Sequence, residues 1–175
     1  RGQQSFILDG SNTGLGDDIV TNGDFTDWTG DNPDNWDVTS EDGSNYVTES
    51  SSKCRMVSDG TDMWFKATPT FKAGVTYKWS LDVTDVTAGG FKIHDNVSYF
   101  YINASPSVQT YTGYWTATAS TTKFQIQRNS GATDLTFDNV VIKPINAKNH
   151  ATTVFYGDEM IAAVDDKNSI FDEAG

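Results

Sequence analysis

The sequence predicts a domain built entirely from β-strands. The chain has 175 residues, enough for one ordinary domain with some linker, and 13% of them are aromatic, enough to bury a core. Asp outnumbers Glu 20 to 4, Thr, Ser, Asn and Gly are abundant and Leu is scarce. This composition favours strands and turns over helices. Strand-like runs also alternate with turn residues about every ten residues, a spacing typical of a sandwich or barrel.

The strand-like runs follow one another along the chain, separated by turns rich in Gly, Asp, Asn and Ser. They comprise residues 36–39, 46–47, 54–57, 63–68, 75–83, 91–94, 97–102, 111–119, 123–127 and 135–143. In the clearest run, 75–83, large apolar residues at alternate positions share one face and polar residues share the other, as in a half-buried strand. Only residues 158–164 show a weak helical period.

The chain divides into three predicted segments. Residues 1–16 are a lead-in or linker, residues 17–144 form the β-sandwich module, and residues 145–175 hold a linker and the start of a following module. The motif GDDIV at 16–20 recurs as GDEMI at 157–161, which is typical of a tandem array. Because the chain begins at Arg1 and ends at Gly175, we expect it to be a fragment of a longer protein.

Charge and missing motifs exclude several function classes. The net charge of -12 and the pI near 4.3 would repel nucleic acid and anionic membrane surfaces alike. Apolar runs are too short to insert into a bilayer. The sequence has two His and one Cys and contains no zinc-protease, nucleophile-elbow or phosphate-loop motif. Most Asp residues lie in turns, where a glycosidase acid is not expected. We therefore predict that the protein is not an enzyme.

Four motifs in order resemble carbohydrate-binding modules of the family 4, 9 and 22 type. They are IVTNGDF at 19–25, Trp28 with Trp36, AGVTY at 73–77 and FDNV at 137–140. The resemblance implies a jelly-roll β-sandwich of two antiparallel sheets that binds a glycan without catalysis. Residues 145–175 resemble, more weakly, inter-module stretches of phage or bacterial surface proteins. This implies an extracellular or virion-surface location and neighbouring modules in the same parent chain.

The resemblance also implies a structural calcium ion that joins the first strand to the last. The corresponding positions are Asp24, Thr26, the loop from Ser51 to Cys54, and Asp138. Carboxylates and turn carbonyls suit calcium, but Thr26 stands where the family usually has Glu and its hydroxyl is a poorer ligand. The alternative is that Asp138 only hydrogen-bonds backbone amides at the end of a strand.

A sugar site needs an exposed aromatic side chain beside polar hydrogen-bonding groups. In the run 63–68, the economical arrangement points Trp64 and Lys66 outward, away from Met63 and Phe65. In the resembled family an aromatic residue at this position stacks on sugar in a cleft of the concave sheet. Further predicted ligand residues lie on neighbouring strands: His94, Tyr99, Tyr101, Gln125, Gln127 and Arg128.

Each of these assignments has a structural alternative. His94 would be an ordinary surface residue, the two glutamines would be simply solvated, and Tyr99 and Tyr101, which alternate with Phe100, would face the core instead of a ligand. The other four tryptophans are predicted to pack in the core, and Cys54 is predicted to be a small core residue. The alternative function is a structural, spacer or adhesion module of a phage tail or surface fibre that has no sugar site. Exposure of Trp64 distinguishes the two functions.

Overall fold

The computed structural model describes residues 15–120 and 123–145, together with the backbone of two short paired strands, Gln4–Ser5 and Val154–Phe155. The chain forms two compact units, one spanning Gly16–Ile145 and the other combining Arg1–Leu15 with Asn146–Gly175. The predicted repeat at 157–161 and the weak helical period at 158–164 lie outside the described residues.

Every regular element in the described part of the chain is a strand. In chain order the strands are β1 (Gln4–Ser5), β2 (Trp28–Thr29), β3 (Asn32–Pro33), β4 (Trp36–Thr39), β5 (Tyr46–Glu49), β6 (Cys54–Ser58), β7 (Trp64–Ala67), β8 (Thr76–Ala88), β9 (Phe91–His94), β10 (Tyr99–Asn103), β11 (Gln109–Thr116), β12 (Phe124–Arg128), β13 (Thr133–Pro144) and β14 (Val154–Phe155). Within the described residues, no helix has the length and apolar character that a membrane crossing requires.

The strands form two five-stranded antiparallel sheets. Sheet I has the order β10-β9-β12-β7-β4, and sheet II has the order β11-β8-β13-β6-β5. Most neighbours within a sheet are distant in sequence, because the chain crosses repeatedly between the sheets. The protein is thus a jelly-roll β-sandwich of two antiparallel sheets, as predicted. Strands β2 and β3 form a separate small hairpin.

The core lies between the sheets and follows the alternation seen in the sequence. In β8 the side chains of Tyr77, Trp79, Leu81 and Val83 are at most 3% exposed. Phe65 of sheet I faces Phe137 of sheet II, with ring centroids 5.8 Å apart. Inward-facing rows of this kind, interdigitating between two sheets, form the core of a sandwich.

The predicted core residues are buried to different degrees. Cys54 is fully buried, as predicted, and burial raises the pKa of its thiol well above the ordinary value. Trp36 and Trp79 are buried as well. Trp28 and Trp115 are only partly buried, and both pack against the edge of the core.

The IVTNGDF motif ties the start of the module to its last strand. The Val140 N–H donates to the Gly23 carbonyl at 2.8 Å. A side chain at Gly23 would clash with the Val140 carbonyl oxygen, so the two backbones approach this closely only because position 23 is glycine. Phe25 is fully buried and its ring lies 5.0 Å from that of Trp36. The Trp36 indole N–H donates to the Asn22 carbonyl at 3.0 Å.

Candidate functional site

Two rows of outward side chains cross sheet I. Strand register sets the members of each row, because residues paired across antiparallel strands point to the same face. One row contains Thr39, Trp64, Gln127, Lys92 and Ile102, and the other contains Asp37, Lys66, Gln125, His94 and Tyr99. With strands about 4.8 Å apart, five strands span about 19 Å. This surface, called here the row face, contains most of the side chains predicted to bind sugar.

Trp64 lies on the row face and is half-buried, while its neighbours Met63 and Phe65 are fully buried on the core side. Its outward orientation, together with Lys66, agrees with the sequence pattern. Each of the other four tryptophans has an aromatic neighbour or an indole hydrogen bond to a carbonyl. Within the described residues Trp64 has neither an aromatic neighbour nor an indole hydrogen bond to a carbonyl.

Gln125 and Gln127 occupy the centre of the row face. Although they point away from the core, they are only 9% and 5% exposed. The alternative in which they are freely solvated is therefore wrong. β12 is the middle strand of sheet I, with β7 and β9 on either side. Gln127 accepts a hydrogen bond from the Tyr99 hydroxyl at 3.3 Å, whereas no side-chain bond of Gln125 is found among the described residues.

Tyr99, Lys92 and His94 form a cluster beside these glutamines. The Lys92 ammonium lies 4.6 Å from the centroid of the Tyr99 ring, within the range of a cation–π contact. The His94 ring lies 4.6 Å from the same ring at an angle of 39°. Tyr99 is 48% exposed. The cluster therefore combines an accessible aromatic ring with a positioned cation.

The hydrogen-bonding state of His94 follows from its surroundings. Burial lowers the pKa of His94, Lys92 lowers it further and Asp95 partly opposes them. The imidazole is therefore neutral at pH 7. Its Nδ1 atom accepts the backbone N–H of Asn96 at 3.2 Å, so the proton is on Nε2. His94 thus presents an N–H donor to the row face.

Arg128 lies at the end of β12 and is fixed by protein groups. Its guanidinium donates to the Thr61 carbonyl at 2.6 Å and forms a 2.8 Å ion pair with Asp62. Asp62 also accepts a hydrogen bond from Gln127 at 3.4 Å. Arg128 and Asp62 therefore form a charge-balanced rim at one end of the row face.

The structure separates the two tyrosines that the sequence grouped. A register shift between Tyr99 and Tyr101 interrupts the β9–β10 pairing. As a result Phe100 and Tyr101 both pack inward, with Tyr101 5.0 Å from the Trp79 ring. Placing Tyr101 beside Tyr99 on one face is thus incorrect. The bulge breaks the alternation on which that placement depended.

Two of the residues implied as calcium ligands lie at the junction of the first and last segments. Burial raises the pKa of the Asp138 carboxyl, and the Asp24 carboxylate adds to this rise, while the Asn139 N–H and Lys53 oppose it. The Thr26 hydroxyl donates to Asp24 at 3.3 Å. A depression of about 290 Å³ adjoins Asp24 and Asn139. The two carboxylates fit the hard-oxygen chemistry of calcium.

The other residues implied as calcium ligands, Ser51 and Cys54, offer no carboxylate to the site. Ser51 is exposed in a tight turn with φ 56°, in which the Lys53 carbonyl already accepts the Ser50 N–H at 2.9 Å. Cys54 is the first residue of β6 and its side chain is fully buried in the core. Its thiol therefore does not point toward the predicted calcium site. Among the described residues, no three His, Cys, Asp or Glu side chains are close enough to hold a metal ion together.

Several row-face residues were not selected from the sequence. Lys92 is two residues before His94 in the alternating run FKIH, so the period of two already placed both on one face. Asp37 and Thr39 flank Val38 in the same way in β4. No sequence pattern indicated that Asp62 belongs to the site. It lies in the loop before β7, and its ion pair with Arg128 joins residues that are distant in sequence.

Comparisons with known proteins yield matches among solved structures only. No family model matches the chain, and no curated protein does. A carbohydrate-binding module of family 4 is 21% identical, covering 71% of this chain and 99% of its own, with a TM-score of 0.46. The enzymatically active domain of tailspike protein 4 from bacteriophage CBA120 is 14% identical, covering 73% and 21%, with a TM-score of 0.52.

A third match is the Clostridium thermocellum xylanase 10B, whose structure contains a family 22 carbohydrate-binding module and was solved with xylohexaose. It is 13% identical and covers 83% of this chain and 30% of its own, with a TM-score of 0.49. Carbohydrate-binding modules are thus among the structures similar to this chain. At these identities the similarity concerns the fold alone.

Proposed function

We propose that this protein is a non-catalytic glycan-binding module and that the row face of sheet I is its binding surface. The observation that carries the proposal is Trp64, an outward indole without an aromatic neighbour or a hydrogen-bond partner among the described residues. Indole rings stack on the apolar C–H faces of sugars, and their N–H groups donate to hydroxyls.

The surroundings of Trp64 support a chain-like ligand. Gln127 of β12 is paired with Trp64 of β7. In the adjacent row, Gln125 of β12 is paired with Lys66 of β7. These polar groups continue across the strands to Tyr99 at the edge of sheet I. A surface about 19 Å across suits several linked sugar rings more than one.

We expect modest affinity. One or two stacked rings and a few hydrogen bonds that compete with water leave little net free energy after the ligand and side chains are ordered. We therefore expect dissociation constants between micromolar and millimolar, which correspond to a binding free energy of about 4 to 8 kcal/mol. In a parent protein with several such modules at an extracellular or virion surface, as we propose, avidity would compensate.

Substitution of Trp64 tests the proposal. Trp64→Ala should weaken binding in a glycan screen or affinity gel at least about tenfold, because a buried stacking contact is lost. The matched control is Tyr114→Ala. Tyr114 is 66% exposed and pairs with Lys78 in sheet II, so its removal should not change glycan binding.

Two results would contradict the proposal. One is glycan binding by the native protein that Trp64→Ala leaves intact. The other is no binding to any glycan in a broad screen, which would favour a structural or spacer role for the module.

We propose separately that Asp24 and Asp138, with backbone carbonyls from residues 51–53, hold a structural calcium ion. When bound, the ion would screen the two carboxylates from each other and tie the first segment to β13. Calcium that binds only the native state should raise the unfolding temperature, and a chelator should lower it. An Asp138→Asn variant should lose this response. An unfolding temperature that is the same with calcium and with chelator would exclude the site.

A further inference from the structure

Lys92 is a cation on the row face. Among residues 15–120 and 123–145, Lys66 is the only lysine that forms an ion pair, so Lys92, like the other lysines there, has none. It lies near the middle of the row face, between Gln127 of β12 and Ile102 of β10.

Two acidic residues of the row face and its rim are paired with cations, and Asp95, next to His94, is fully buried with its Oδ1 accepting the Val97 and Ser98 N–H groups. Asp37, on the edge strand β4, lies 4.0 Å from Lys66. Asp62 is bound by Arg128 at 2.8 Å at the other end. With both acids paired, Lys92 leaves the row face with net positive charge on a protein whose total charge is -12.

The position of Lys92 is also fixed by its contacts. Its ammonium lies 4.6 Å from the Tyr99 ring centroid, and the Tyr99 hydroxyl is in turn bonded to Gln127 at 3.3 Å. The ammonium is therefore positioned by an ordered aromatic ring. A cation placed in this way can bind a ligand with a smaller loss of side-chain entropy than a free lysine.

Several open hydrogen-bonding groups of the row face are donors. They include the Trp64 indole N–H, the Lys92 ammonium, the His94 Nε2–H and the Gln125 NH2 group. The Gln125 carbonyl and the exposed Asp37 carboxylate are acceptors on the same face. A carboxylate only accepts.

From these observations we propose that the row face selects acidic glycans, with a sugar carboxylate bound by Lys92 and neighbouring donors. This inference rests on the proposed function and narrows its ligand class. A charge-assisted hydrogen bond to a carboxylate is stronger than a neutral one, so the carboxylate should dominate selectivity although the overall negative charge of the protein opposes it.

The test compares acidic polysaccharides with their neutral forms. Polygalacturonate, hyaluronan and polysialic acid serve as probes, each against a carboxyl-reduced preparation of the same polymer. The acidic form of at least one should bind about tenfold more tightly than its reduced form, the effect of one charge-assisted bond. The three polymers separate uronic acids from sialic acid as sources of the carboxylate.

Substitutions identify the residue responsible. Lys92→Gln should remove most of the preference, and Lys92→Arg should retain it because the charge remains. The matched control is Lys78→Gln on the outer face of sheet II, which changes the net charge equally but lies outside the row face. It should leave the preference unchanged, which separates a local contact from long-range attraction. Unfolding curves confirm that each variant folds.

Three outcomes decide against the inference. If reduced and acidic forms bind equally and Trp64→Ala abolishes both, acid selectivity is wrong and the proposed function stands. If Lys78→Gln removes the preference as much as Lys92→Gln, the preference is not local and the assignment to Lys92 is wrong. If no form of any probe binds and a broad glycan screen is also negative, both the inference and the proposed function are wrong.

Discussion

The outer faces of the two sheets are both polar, but they use their polar groups differently. On sheet II, Arg55 forms two hydrogen bonds with Asp134, at 2.6 and 2.7 Å, and Asp82 accepts from Thr110 and Asn139. On sheet I, donors at Trp64, Lys92 and His94 remain open, and the central glutamines are nevertheless covered. Sheet II satisfies these polar groups internally, whereas sheet I leaves several donors without a bond to the described residues.

Side-chain length explains much of this difference. Sheet II presents Thr, Ser and Asp at many outward positions, which reach only their cross-strand neighbours. Sheet I presents the longer side chains of Trp, Lys, His and Tyr on the strands around β12. The two glutamines of β12 lie among them and are buried. The comparison teaches that the central side chains of an outer face can be buried while polar groups on the same face remain unbonded to protein.

The largest expected effect is on the free energy of unfolding, and it differs between the core-facing and outward-facing side chains of β7. Phe65→Ala should lower the free energy of unfolding by about 3 to 5 kcal/mol, because it leaves a cavity in the core. Trp64→Ala should lower it by about 1 kcal/mol or less, since Trp64 is only half-buried. Urea titrations measure both values. Equal losses would show that Trp64 is a core residue and would break the comparison.

A smaller effect is expected from the ion pair on sheet II. Arg55 is 40% exposed and Asp134 is 16% exposed. Their pair should therefore contribute about 1 kcal/mol or less. A double-mutant cycle with Arg55→Met and Asp134→Asn measures this coupling. Glycan binding should not change in either variant. A change in binding would mean that the two outer faces are not independent.

The response of stability to pH tests the environment of His94. Because burial lowers its pKa in the folded state below the ordinary value of 6.5, the unfolded chain takes up a proton first as pH falls. The free energy of unfolding should therefore decrease below about pH 6.5 and stop decreasing once the folded His94 is also protonated.

The difference between native protein and His94→Asn isolates this contribution from the many carboxyl groups. Denaturant titrations at a series of pH values give the two curves. If the variant keeps the same slope near pH 6, His94 does not have a lowered pKa in the folded state, and its role as a neutral donor would have to be abandoned.

The smallest effect on stability is expected at the centre of the row face. Gln125→Leu should change the free energy of unfolding by only about 0.5 kcal/mol, since no bond of this side chain to the described residues is lost. Glycan binding should weaken. A large loss of stability would show that the amide has a structural role and would sharpen the contrast with Gln127, which is bonded to Tyr99 and Asp62.

Alternation within strands predicted much of this fold. The inward rows of β8 and β12 follow directly from it, as does the outward orientation of Trp64, because Met63 and Phe65 needed the core side. The resemblance to carbohydrate-binding modules added the jelly-roll topology, which a local pattern does not contain. Strand pairing and sheet order depend on contacts between residues that are distant in sequence.

The details of the site were less predictable for the same reason. Strict alternation placed Tyr99 and Tyr101 together, and only the register shift in the folded sheet separates them. The burial of Gln125 and Gln127 arises from side chains on two other strands. Alternation placed Lys92 on the same face as His94, but its contact with the Tyr99 ring depends on the pairing of β9 with β10.

The register shift in β10 has a consequence beyond the placement of Tyr99. β10 is an edge strand, and an edge with free N–H and C=O groups is a template on which another chain can extend the sheet. A bulge interrupts the regular spacing of those groups and twists the strand. The irregularity between Tyr99 and Tyr101 thereby also makes this edge a poorer template for pairing with another chain.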